Sequence, residues 1–181
     1  MRKTSTYARK RAMRIKTNED LYMDRARQLC SMDGVVAHST PFSRNPIFNP
    51  DTIMLPVRIA LQSMIDRSLQ PDDKHAFDTL ACAVGESKIR YMEIGGEDTP
   101  AVALLTKADD ALARAYDRWK RTGQWGLDGP AIVELKDAVS LFEEVLLASS
   151  PNQMIEAERT HKRWLELMRQ GKLKTPTPQA A

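Results

Sequence analysis

Several things that would make a function easy to read are missing from this chain of 181 residues. Cysteine occurs twice, as Cys30 and Cys82, and neither belongs to a Cys-x-x-Cys pair. A disulfide framework is therefore excluded, and two isolated thiols fit a reducing compartment. Aromatic residues make up only 6% of the chain, and β-branched runs are scarce, so little of the material of a sandwich or barrel is present. No run approaches the roughly 18 apolar residues that cross a bilayer, and the N-terminus lacks the apolar stretch of a secretory signal. These absences predict a cytoplasmic protein with no membrane partner.

Chemistry-bearing motifs are equally scarce. The three histidines, His38, His75 and His161, fall in a loop and on two different predicted helices, with no His-Glu-x-x-His pattern. No metal site is expected from them. His161 lies on the stripe Met154, Ala157, His161, Trp164, Met168 and reads as a core histidine. His75 and Asp78 stand one helical turn apart and could pair. Val84-Gly85-Glu86-Ser87-Lys88 holds the residue types of a phosphate loop without their order, and it falls inside a predicted helix where no backbone N–H is free. The acidic pairs Asp72-Asp73, Asp109-Asp110 and Glu143-Glu144 are adjacent residues pointing about 100° apart on a helix, which suits solvated faces better than acid–base work. No catalytic residue and no cofactor is expected, and an enzyme is the least supported class.

Helix formers fill the space that these absences leave: Ala, Leu, Met, Glu, Lys and Arg dominate, and an all-α fold follows. Asn18 followed by Glu19 and Asp20 opens a short helix over about 19–32 that stops at Gly34. Residues 35–51, with Pro41, Pro46 and Pro50, read as a loop. From there Pro56, Pro71, Pro100, Pro130 and Pro151 each precede an apolar-periodic run, a residue suited to a first helical turn. Five helices are predicted, near 55–68, 71–94, 100–122, 130–149 and 151–170, with Thr99, Asp128 and Ser150 as N-caps. Glycines at 95, 96, 123 and 171 mark the stops.

The apolar spacing picks out the buried faces. Phe77, Leu80, Val84, Tyr91 and Ile94 form one seam with Ser87 as its polar gap, and Cys82 reads as a small buried hydrophobe beside it. Ala101, Leu105, Ala108, Leu112, Ala115 and Trp119 form a second seam, and Ile132, Leu135, Val139, Phe142 and Leu146 a third. Such seams on helices with short connections predict an antiparallel bundle of about five helices. A second stripe on the fourth helix, Ala138, Leu141 and Val145, widens its apolar face, which suits burial in the bundle and would alternatively suit a homodimer. The organisation is a basic arm at 1–18, a short helix and proline-rich loop at 19–51, the bundle at 52–171, and a disordered tail at 172–181.

Charge is distributed unevenly. Residues 1–16 carry Arg2, Lys3, Arg9, Lys10, Arg11, Arg14 and Lys16 with no acid. Residues 159–181 carry Arg159, Lys162, Arg163, Arg169, Lys172 and Lys174 against Glu166 alone, while the part between holds 14 basic and 23 acidic residues. An acidic body with two basic ends suits contact with phosphate or with acidic partners. Arg2, Lys3, Arg9, Lys10, Arg11, Arg14, Lys16, Arg159, Lys162, Arg163 and Arg169 are the candidate nucleic-acid contacts. The connection Arg118 to Pro130 is the most distinctive local stretch. Trp125 either packs over this elbow or, with Arg118 and Arg121, forms a partner-binding surface.

Leu55-Pro56-Val57-Arg58-Ile59-Ala60-Leu61 and Arg121-Thr122-Gly123-Gln124-Trp125-Gly126-Leu127-Asp128-Gly129-Pro130 resemble segments of small helical proteins carried on bacterial prophages and plasmids, some labelled transcriptional regulators of the Fis type. The resemblance spans about residues 55–170 and implies a bacterial mobile-element setting, with no catalytic residues to transfer. Two functions remain in view: a nucleic-acid-associated regulator gripping through its basic ends, and a protein-binding adaptor or inhibitor working through its acidic body.

Overall fold

The computed structural model describes residues 38–45 and 47–172. Among them the chain makes a 3-10 turn at Phe42–Arg44 and five α-helices: α1 (Asp51–Asp66), α2 (His75–Gly95), α3 (Pro100–Thr122), α4 (Gly129–Ala148) and α5 (Pro151–Arg169). No strand occurs among the described residues. The basic arm, the helix expected at 19–32 and the tail beyond residue 172 lie outside them.

The three predicted N-caps all form. Thr99 accepts from the Val102 N–H at 3.3 Å and Asp128 from the Ala131 N–H at 2.8 Å. Ser150 accepts from the Gln153 N–H at 3.4 Å, while the Gln153 side chain accepts from the Ser150 N–H at 2.8 Å, completing a capping box. Proline occupies the first turn of these same three helices. Two other starts differ from expectation. α1 begins five residues before Pro56, because Asn49 Oδ1 accepts the Asp51 N–H at 2.9 Å and the extra turn buries Met54 on the face shared with Val57 and Leu61. α2 begins at His75, not Pro71: Asp73 Oδ1 accepts the His75 N–H, and the Pro71 carbonyl accepts the Trp119 indole N–H at 2.6 Å, which ties that turn to α3.

One apolar core runs through the bundle, with Met64, Leu80, Leu105, Leu135 and Leu146 fully enclosed. α2 is the hub, packing against each of the other four helices, whereas α4 meets α1, α2 and α3. Ala138 and Val145 are buried and Leu141 is packed against the core, so the second stripe of α4 is spent inside the bundle and is closed to a homodimer. Ser87 is fully buried within the α2 seam and is satisfied by donating to the Ala83 carbonyl at 2.7 Å. Ile94, expected at the end of that seam, is exposed.

Gly85 has a packing role. A Cβ there would lie 2.2 Å from His161 Nε2, so α5 crosses α2 at a point where only hydrogen leaves room for the imidazole. The mid-helix glycine of Val84–Lys88 thus serves a close helix crossing.

Candidate interaction surfaces

α1 and α5 both pack against α2 but make no extensive contact with each other. One edge of α2 beside α1 stays open, and helical spacing decides what lies on it: His75, Asp78 or Thr79, Cys82 and Glu86 recur every three or four residues along it. An open cleft of about 440 Å³ follows this edge. Ile53, Pro56 and Val57 of α1 form an apolar wall, and Phe142 of α4 adds an aromatic surface.

Glu86 is the unusual group of the cleft. It is half-buried, and no described residue hydrogen-bonds or pairs with its carboxylate. Burial, reinforced by the negative charge of Glu158 on α5 and opposed by Lys162, pushes its pKa up to about 7. Cys82 is exposed, which corrects its expected place among the buried hydrophobes: it falls out of phase with Leu80 and Val84 and takes the open edge of α2. Burial of its thiol and the nearby carboxylates of Glu86, Asp78 and Glu158 push its pKa up, so it is a poor nucleophile at neutral pH. The position-by-position pattern of α2 held the signal for this site, because three polar residues at helical spacing lie off the seam. What the sequence did not give was which helices would flank them.

His161 sits on the other edge of α5. Burial pushes its imidazole pKa down, opposed by Asp109, so it is neutral at pH 7 and acts as packing against Gly85. Asp109 itself pairs with Lys88 at 2.8 Å, joining α3 to α2.

Part of the expected cationic strip of α5 is internally compensated. Arg159 pairs with Glu156 and Lys162 with Glu158, each within one turn. Both acids lie just before residue 159, outside the segment whose charge looked so one-sided. Arg163 and Arg169 are exposed. Arg2, Lys3, Arg9, Lys10, Arg11, Arg14 and Lys16 lie outside the described residues.

The Arg118–Pro130 elbow is packed inward. Trp125 is only 2% exposed, stacked between Trp119 (4.9 Å between centroids, 9° between planes) and Phe77 (5.1 Å). This corrects its reading as a partner-facing anchor: the indole's large apolar area is already used to seal the α2–α3–α4 junction. Arg118 reaches back to the Gly126 carbonyl at 3.2 Å and to Asp128 at 3.3 Å, so it too braces the elbow. Arg121 remains exposed.

Among the described residues no group of three or more His, Cys, Asp or Glu side chains could hold a metal ion, and no helix is long and apolar enough to cross a membrane. No protein-family model, no curated protein and no solved structure matches the chain.

Proposed function

We propose that this protein is a non-catalytic interaction module that binds a protein partner by receiving an amphipathic helix in the cleft between α1 and the open edge of α2. The observation that carries this reading is the unpaired, half-buried Glu86 in a cleft walled by Ile53, Pro56 and Val57. A groove walled by one helix along the back of another suits a further helix, because apolar residues three and four apart meet the wall together. A basic residue on that helix would give the Glu86 carboxylate the counter-ion it lacks, and a buried charge without one is costly.

Capture from a nuclease-treated bacterial lysate tests it. The full chain should retain a partner that Glu86→Arg loses, with circular dichroism showing that the variant keeps its helices. Equal retention by both chains would remove the cleft from the function.

The run of seven basic residues in positions 1–16 favours a second reading, a DNA-binding protein of a prophage or plasmid engaged in transcription regulation. On that reading the grip comes from the arm together with Arg163 and Arg169. The α4–α5 junction gives no help, because α5 is a 19-residue helix following Ala148 after two residues, unlike the short recognition helix of a helix-turn-helix. Retention of a partner only when nuclease is omitted would favour this second reading.

A further inference from the structure

Glu86 is not the only carboxylate of the cleft. Asp78 lines it as well, and no described residue hydrogen-bonds or pairs with its side chain. The two acids stand eight positions apart on α2, a rise of about 12 Å, and about 80° apart around the helix, so both border the same opening. The edge between them carries no charge. Cys82 lies midway, four residues from each acid, with Thr79 and Ala83 beside it, and these small side chains leave the space above them to an incoming group. Ile53, Pro56 and Val57 supply the apolar wall over about one turn of α1. The cleft is thus apolar through its middle, with a carboxylate towards each end of its α2 edge.

Cations close to this edge are engaged elsewhere. Lys162 on α5, Arg58 on α1 and Lys88 on α2 pair with Glu158, Glu143 and Asp109. Asp78 and Glu86 are left to cations from outside the chain. An incoming helix meets both acids at one spacing. Its residues i and i+7 lie about 10.5 Å apart on nearly the same side, with i+3 and i+4 between them on that side. Long basic side chains at i and i+7 cover the small difference in rise.

From this charge complementarity we infer that the partner helix carries two basic residues seven positions apart, with apolar residues at the third and fourth positions between them. The basic pair meets Asp78 and Glu86 while the apolar pair packs on Ile53, Pro56 and Val57. The inference rests on reading the cleft as a helix-receiving surface and adds the partner's pattern, basic-x-x-apolar-apolar-x-x-basic. That pattern is the same in both directions, so either polarity of the helix satisfies it. Two ionic contacts also fix the register, because a slip of one turn breaks one of them.

Fluorescence anisotropy of labelled peptides titrated with the full chain tests this. A matched peptide carries Arg, Leu, Leu and Arg at the four positions in an alanine and glutamine background. A displaced peptide of the same composition moves the second Arg from i+7 to i+5, which turns it about 160° away. The matched peptide should bind about threefold or more tightly than the displaced one, a size set by the exposure of Asp78. Asp78→Asn should remove that advantage, and Glu86→Gln should weaken both peptides by about tenfold. Equal affinity for the two peptides would overturn the inference, as would an advantage that Asp78→Asn leaves intact, or no binding by either peptide. A captured partner that Glu86→Arg loses, but that binds the Asp78→Asn chain as tightly as the unaltered one, would overturn the two-point contact and leave the cleft reading standing.

Discussion

Gly85 and Glu86 are neighbours on α2 with opposite demands on space. Gly85 permits the α2–α5 crossing because a methyl group would collide with the His161 ring. Gly85→Ala should therefore destabilise the fold by about 1–3 kcal/mol despite the higher helix propensity of alanine, and His161→Ala in the same chain should recover part of the loss. Urea denaturation of the three chains checks this. Glu86 has room but no partner. Its folded-state pKa of about 7 stands above the ordinary value of 4.5. The folded protein then binds the proton more tightly than the unfolded one. Its contribution to stability is present in full below about 4.5 and is lost as pH rises through about 7. Unfolding midpoints across that interval should fall with pH, and Glu86→Gln should flatten the trend.

Elements in this protein are delimited by their ends more than by their middles. Thr99, Asp128 and Ser150 each satisfy an otherwise unpaired N–H at the start of a helix. Ser150→Ala breaks the capping box of α5 and should cost about 1 kcal/mol, measured as a lower urea midpoint with an unchanged slope. These starts were legible because caps and first-turn prolines are local chemistry. The start of α2 departs from expectation for a tertiary reason. Pro71 resembles the other helix-opening prolines, but its carbonyl is taken by Trp119, 48 residues away in sequence, and its turn is held outside the helix. Trp125 shows the same limit from the other side. The elbow was recognised, yet only Phe77 and Trp119, contributed by other helices, decide that its indole faces inward.

For the whole molecule the question is where net charge is free to act. The acids of α5 compensate Arg159 and Lys162, so a polyanion would be held chiefly by residues 1–16. If the chain grips duplex DNA and about five of its cations meet phosphates, log affinity should fall against log salt with a slope of about −4 to −5. Removing residues 1–16 should flatten that slope, whereas neutralising Arg159 and Lys162 should change it little. Fluorescence anisotropy over a salt series distinguishes the two. Absence of binding to DNA and RNA in dilute buffer would leave the protein partner as the surviving reading.

By itself the sequence determined the helical class, the number of bundle helices, three of their caps and most of their buried faces. All of these depend on propensity and on periodicities of three and four residues, which need no knowledge of neighbours. The tertiary structure alone decided that α2 is the hub, that α1 and α5 make no extensive contact with each other, and that Cys82 and Glu86 share an open cleft beside α1. A side chain's exposure depends on which distant element comes to rest against its helix. That is a property of the packed molecule, which no local pattern encodes.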